Sequence, residues 1–309
     1  MLENRSFYAN LSSHFGVIRA SGEEAATFLQ GQLSNDIRLA TPELAQYSTY
    51  STPKGRMLAN FLIWQADDAY FLLCRLDLLE PTLKRLKMYV MRSKVTLEAA
   101  STGVFGLNEN TAAVLLGDMP LSLQQGNLSV SATALGALIH LGQGFALLAT
   151  ETATEPTWPS TAQALDAQHW QWVHIAAGVP WISASTVEAF VPQMANMDAL
   201  GAIHFKKGCY TGQEVVARLH YLGKSKRRLY RIGLADEVAL AEGADLYGRD
   251  GETSVKVGQI VNIAPDLTQK FGQQALAVIQ IAAWETGIFA DAALTQAATV
   301  LPLPYEVKE

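Results

Sequence analysis

Residues 47–75 read YSTYSTPKGRMLANFLIWQADDAYFLLCR, and their punctuation decides the fold class. Pro53-Lys54-Gly55 and Asp67-Asp68 are turn signals that cut the segment into three apolar and aromatic runs, the pattern of an antiparallel meander. The next stretch, DLLEPTLKRLKMYVM, carries Leu79, Leu83, Leu86 and Val90 at helical spacing. With Pro81 tolerated near its start, it predicts a helix that covers the sheet. Consecutive strands followed by a helix place the segment in the α+β class.

A second round of the same grammar lies further along. GVFGLN and AAVLLG lead to the pair ALIHL and FALLAT around Gly142-Gln143-Gly144. A polar loop over 150–160 then precedes TAQALDAQHWQWVHIAAG, which reads as a helix closed by Gly178 and Pro180. From Leu229 onward the pattern changes to short strands, LYRIGLA, VKVGQIVNIA and QALAVIQIAA, as in a small barrel or sandwich. The basic stretch GKSKRR marks that boundary.

The chain has 309 residues, 49% apolar and 17% charged, which suits two or three soluble domains. Its start lacks a basic head followed by an apolar block, and no apolar run approaches the roughly 18 residues of a membrane span. The expected location is the cytoplasm. Two cysteines give no disulfide framework, and no cluster of metal ligands accompanies them. Cys74, within YFLLCRLD, reads as a buried strand residue.

Charge is unevenly placed. Residues 206–228 hold Lys206, Lys207, Arg218, Lys224, Lys226, Arg227 and Arg228 against Glu214 alone, a window of +6 in a chain of net charge −6. A solvated face is one reading; an anionic partner (phosphate, a polycarboxylate tail or RNA) is the other.

That window opens with KKGCYTGQEVVAR. Thr211 and Glu214 have the spacing of a capping box, and Val215, Val216 and Leu219 would bury one face of the helix that follows. Cys209 would then sit two residues before the N-cap, where the helix dipole and Lys206 and Lys207 favour a thiolate. The alternative is packing: Cys209 as a small residue beneath Tyr210, with Gly208 and Gly212 allowing a close approach. Both readings stand on spacing alone, because no motif assigns a base to the thiol. His204 and His220 read as surface or packing residues. Gly223-Lys224-Ser225 is not a phosphate loop, since Arg218 occupies the place of its first glycine. Gly142-Gln143-Gly144 lacks the third glycine of a dinucleotide fingerprint, and HExxH, CxxC and GxSxG are absent.

KKGCYTGQE, together with FLQGQLSND at 28–36, TPKGRM at 52–57, FVPQMANMDALG at 190–201 and PLPY at 302–305, resembles the bacterial YgfZ family of folate-binding, tRNA-modifying proteins. That family is similar in fold to the glycine cleavage T-protein, an aminomethyltransferase that uses tetrahydrofolate. The resemblance implies two ferredoxin-like α+β domains, 1–42 with 101–165 and 43–100 with 166–225, plus a C-terminal β-barrel, 226–309, arranged around a central channel. It also implies tetrahydrofolate or a derivative as ligand, iron-sulfur enzymes or assembly factors as partners, and an indirect link to tRNA methylthiolation.

Residue by residue, the resemblance makes Cys209 a functional thiol, supported by Gly208, Tyr210, Thr211, Gly212, Gln213 and Glu214. Trp170 aligns with one folate-contacting tryptophan, and Phe15 stands where the family has the other. A phenyl ring keeps an apolar face for a pterin but lacks the indole donor. Helix packing is the alternative for Trp170 and Trp172. Lys206, Lys207 or Arg218 would meet the glutamate carboxylates of the folate.

The T-protein aspartate that supports transfer at the folate nitrogen corresponds to Asn60, with Ala59 and Phe61 beside it. An amide cannot act as a general base, which disfavours aminomethyl transfer. The expected function is therefore a folate-binding accessory protein. A one-carbon transferase acting on an amine or tRNA base is the alternative. An RNA-binding module using the 206–228 window is a third reading, opposed by the acidity of the whole chain.

Overall fold

A computed structural model describes residues 6–116 and 128–307. The chain forms two compact units: Met1–Tyr50, Ala59–Trp170 and Ala202–Tyr210 make the first, and Ser51–Leu58, Gln171–Gly201 and Thr211–Glu309 the second.

In chain order, the elements up to residue 165 are β1 (Phe7–Asn10), β2 (Phe15–Ser21), α1 (Ala25–Gln32), β3 (Leu44–Ser51), β4 (Met57–Ala66), β5 (Ala69–Arg75), α2 (Leu76–Val90), β6 (Thr96–Ala99), β7 (Val104–Asn108), α3 (Glu109–Leu116), β8 (Leu128–Thr133), β9 (Gly136–Gly142), β10 (Phe145–Thr150) and β11 (Gln163–Leu165). Their strands build an 11-stranded sheet in the order β11-β1-β7-β10-β9-β8-β3-β4-β5-β2-β6.

The three runs of residues 47–75 correspond to β3, β4 and β5. Asp67 and Asp68 both take positive φ, 47° and 55°, as a two-residue hairpin turn requires. β4 and β5 then pair antiparallel, with Leu62 opposite Leu73. β2 continues the sheet through Gly16 opposite Cys74 and is flanked by β6 through Ile18 opposite Ala99. The helix expected from Leu79, Leu83, Leu86 and Val90 is α2, which buries the three leucines together with Leu78 and Thr82 and leaves Val90, its last residue, half-buried. Gly16 admits it closely: a Cβ there would lie 2.7 Å from Leu79 Cδ2.

The structure sharpens one segment of the second round and corrects another. Ala112 to Leu116 of AAVLLG belong to α3, and Gly117 lies outside the described residues. The helix expected over 161–178 is divided. Its first part is β11, parallel to β1 with Phe7 opposite Gln163, and the helix α4 (Ala167–Ala176) begins only after Asp166. The Asp166 carboxylate accepts from the Gln168 amide at 2.7 Å and so fixes that start.

In the second unit, α5 (Gln213–Leu222) precedes β12 (Arg227–Leu234), β13 (Asp245–Asp250), β14 (Thr253–Pro265), β15 (Gln273–Gln280) and β16 (Thr299–Leu301). These strands form a five-stranded antiparallel sheet of half-barrel kind, ordered β13-β14-β15-β12-β16. Ile232, Leu246, Ile260, Ala277 and Ile279 lie in its core. Arg227 and Arg228, expected in a linker, are the first residues of β12.

Candidate functional site

Three of the quoted segments meet in the first unit. α1 ends at Gln32, leaving carbonyls of its last turn without helical donors. The Lys207 ammonium serves this end of the helix: Nζ donates to the carbonyl of Gln30 in that turn at 2.8 Å, and to those of Leu33 at 2.6 Å and Asn35 at 2.8 Å just beyond it. Lys207 is buried, and its Nζ lies 5.1 Å from the centre of the Tyr210 ring. Burial pushes this ammonium down to about 8 and the Tyr210 hydroxyl up to about 12. Lys207 was expected to meet an anion. With its three protons on carbonyl oxygens, it is instead a buried anchor of the chain that carries Cys209.

Around that anchor lies a buried polar network. Ser34 Oγ donates to the Ala202 carbonyl at 2.7 Å and accepts from the Thr49 amide at 2.8 Å. The Asn35 amide donates to Ser48 Oγ at 3.0 Å, and Asn35 Nδ2 to the Tyr47 carbonyl at 2.8 Å. The His204 amide reaches the Ser34 carbonyl at 3.0 Å. A hydrogen bond from Arg38 holds the Asp36 carboxyl well below the usual carboxylate range. Thus SND, YSTY and HFKKGCY form one hydrogen-bonded body. The sequence signal for it was the run of Ser, Thr and Asn in what otherwise reads as an apolar strand.

Cys209 and Lys206 are exposed on this body. The capping box proposed for the next residues does not form. The N-cap of α5 is Gly212 at φ 85°, with no side-chain cap, so Glu214 falls one position short of the site from which it could reach back. The reason is steric: a Cβ on Gly212 would lie 2.6 Å from the Thr52 carbonyl oxygen, and the close approach needs a glycine. Val216 is buried, as expected, whereas Val215 is 37% exposed and rests on Gly55. Arg218 is exposed on α5.

In the second unit, TPKGRM, FVPQMANMDALG and PLPY have structural partners. Arg56 donates to the Ala189 carbonyl at 2.6 Å, and Gln193 Nε2 to the Val216 carbonyl at 2.6 Å. Asn196 receives the Leu229 amide at 3.2 Å and donates to its carbonyl at 2.9 Å. Arg228 forks onto the Asp198 carboxylate at 2.8 and 3.0 Å and donates to the Gln193 carbonyl at 2.7 Å. It therefore leaves the basic window as a structural residue, while Lys224, Lys226 and Arg227 stay exposed. Tyr305 donates to the Gly178 carbonyl at 2.7 Å.

The two rings carried over as folate contacts are both buried. Phe15, 3% exposed, starts β2; Trp170, 1% exposed, lies so close on Gly106 that a Cβ there would be 2.3 Å from Cδ2. Phe145 meets the indole edge-to-face at 5.7 Å. Packing is therefore established for Trp170, whereas Trp172 is half-buried, 6.0 Å from the Arg231 guanidinium, and its Nε1 has no hydrogen-bond partner among the described residues. Asn60 is buried in β4. Among the described residues no group of three or more His, Cys, Asp or Glu is placed to hold a metal, and no helix is long and apolar enough to cross a membrane.

Comparison with known proteins places this arrangement. The tRNA-modifying protein YgfZ of Shigella dysenteriae is 32% identical over 250 residues, 78% of this chain and 76% of that protein. The protein of the same name from Escherichia coli O6:H1 is 31% identical over 300 residues, 94% of this chain and 90% of its own. The chain belongs to the YgfZ family. As a YgfZ protein it has the fold of the glycine cleavage T-protein: the crystal structure of the aminomethyltransferase T from Bartonella henselae superposes over 97% of this chain and 86% of that one, with a TM-score of 0.68 at 15% identity. No family model matches the chain.

Proposed function

We propose that this YgfZ protein is a cytoplasmic, folate-binding accessory factor that supports iron-sulfur enzymes and thereby tRNA methylthiolation, with Cys209 as its functional thiol. The observation that carries this reading is the placement of Cys209. It is an exposed cysteine on a segment that Lys207 fastens by three hydrogen bonds, a thiol held in place and open to a partner. Relatives that carry the name tRNA-modifying protein support the same reading.

Tetrahydrofolate or a derivative fits the first unit chemically. The buried amide oxygens of Gln32 and Gln46 and the Nδ1 of His204 have no hydrogen-bond partner among the described residues, and a pterin carries the N–H donors that such oxygens accept. Exposed Lys206 is the proposed contact for a folate carboxylate. Phe15 and Trp170 enter as ring contacts whose packing would have to open.

The test is tRNA profiling in a strain lacking its own YgfZ. Wild type should restore methylthiolation, and Cys209→Ser, present at the same level, should not. Full rescue by Cys209→Ser removes the thiol from the function. Calorimetric titration with tetrahydrofolate should show saturable binding that weakens in Trp170→Ala and Phe15→Ala. Unchanged affinity in both variants takes those rings out of the site. Catalytic turnover of labelled methylene-tetrahydrofolate with an amine acceptor would replace the accessory role by a transferase.

A further inference from the structure

A second basic region lies on α2 and the turn after it. Residues 81–97 hold Lys84, Arg85, Lys87, Arg92 and Lys94 and no acid. Lys94 is paired with Glu23 at 2.7 Å, and half-buried Arg85 lies beside the Tyr50 hydroxyl. Lys84, Lys87 and Arg92 are exposed and make no ion pair among the described residues. Interleaved with them are three exposed apolar residues: Met88 at 62%, Tyr89 at 43% and Met91 at 89%. Lys84, Lys87 and Met88 share one helical face by their spacing of three and four, and Tyr89 stands beside it. Met91 ends the helix at φ 45° and ψ −101°, a conformation rare for any residue with a side chain.

Three kinds of anionic partner can be weighed. A bilayer needs a broad apolar face to insert, but the apolar face of α2, Leu78, Leu79, Leu83 and Leu86, is already buried. A protein groove is a poor match for a face centred on lysines, which protein interfaces tend to exclude. RNA supplies what the face lacks: phosphates for the three cations and the π-face of an unstacked base for Tyr89. We propose that the C-terminal half of α2 and the turn after it, with Lys84, Lys87, Tyr89 and Arg92, form an RNA-binding surface that takes a single-stranded or loop segment. This goes beyond the proposed function, in which the link to tRNA runs through iron-sulfur enzymes.

The experiment uses the purified full chain without folate and a labelled, unmodified tRNA transcript, read by fluorescence anisotropy between about 50 and 200 mM KCl. Wild type should bind with affinity that falls steeply with salt. Combined Lys84→Glu, Lys87→Glu and Arg92→Glu should weaken binding at least about tenfold and flatten the salt slope by roughly 2 to 3. Tyr89→Ala should weaken it about fivefold or more with the slope unchanged. Combined Lys224→Ala, Lys226→Ala and Arg227→Ala, and separately Cys209→Ser, should bind as wild type, so failure of the thiol or folate reading leaves this result untouched. The proposal is overturned by any of four results: no salt-sensitive binding by wild type, full affinity in the charge-reversed variant, loss confined to the 224, 226 and 227 variant, or α2-dependent binding of anionic vesicles without binding of tRNA.

Discussion

Lys207 Nζ donates to the Leu33 carbonyl at 2.6 Å, joining the end of α1 to a residue 174 positions further along the chain. The same ammonium also serves the carbonyls of Gln30 and Asn35. Replacing it by methionine keeps the apolar stem but leaves buried carbonyls without donors, which costs on the order of 3 kcal/mol. Lys207→Met should therefore lower stability in urea unfolding by about that amount and loosen the segment that carries Cys209. Lys207→Arg should not rescue it, because a planar guanidinium cannot reproduce three donors on one nitrogen. Wild-type stability in Lys207→Met would show that these bonds are replaced by water at no net loss.

The same group sets a pH dependence. Burial lowers Lys207 from its ordinary 10.5 to about 8; the negative charge of Asp36 opposes the drop and the positive charge of Arg38 adds to it. Between those two values the unfolded chain binds more protons than the folded one, so this contribution to stability rises with pH across the window. The penalty for burying the charge is fully present below 8 and is relieved towards 10.5. The unfolding free energy of wild type relative to Lys207→Met should accordingly increase between about pH 7.5 and pH 10. A flat difference would mean that Lys207 titrates as it does in the unfolded chain.

The two cysteines should separate cleanly by reactivity. Cys74 is fully buried between strands, and burial pushes its thiol up to about 12, whereas Cys209 is exposed. Since the thiolate is the reactive form, a maleimide should label one thiol in the native protein, none in native Cys209→Ser, and both after denaturation of wild type. Labelling of Cys74 at the native rate would show that the β2 and β5 region opens locally.

What the sequence revealed was local. Asp67-Asp68 announced a hairpin because two adjacent positive-φ positions are a property of the turn itself, and the spacing of Leu79, Leu83 and Leu86 announced the buried face of α2. What stayed hidden depended on distant partners. The pairing of Phe7 with Gln163 turned an apparently helical segment into an edge strand. The acceptors of Lys207 are backbone carbonyls, which have no side-chain signature, so charge alone read this lysine as an anion contact. Arg228 was similarly read as one of a basic run, either solvated or facing an anionic partner, because Asp198 lies 30 residues away. The lysines and tyrosine of α2 were legible as a helix, yet their exposure emerged only once the opposite face was seen against the sheet.

Gly212 offers the most stringent test of how α5 begins. Thr211 and Glu214 have the spacing of a side-chain cap, but the helix starts from Gly212 at φ 85°, a conformation that glycine adopts without strain. Its Cα faces the Thr52 carbonyl so closely that a Cβ would sit 2.6 Å from that oxygen and 3.1 Å from Gly55 Cα. Gly212→Ala meets both penalties at once and should destabilise the protein by about 2 to 3 kcal/mol. Thr211→Ala, which removes only the hydroxyl of the unformed cap, should stay within about 0.5 kcal/mol of wild type. If helix start were governed by the capping box, the order would invert: Thr211→Ala would cost about 1 kcal/mol and Gly212→Ala little. Urea unfolding of the two variants decides between a side-chain cap and a backbone contact as the device that starts α5.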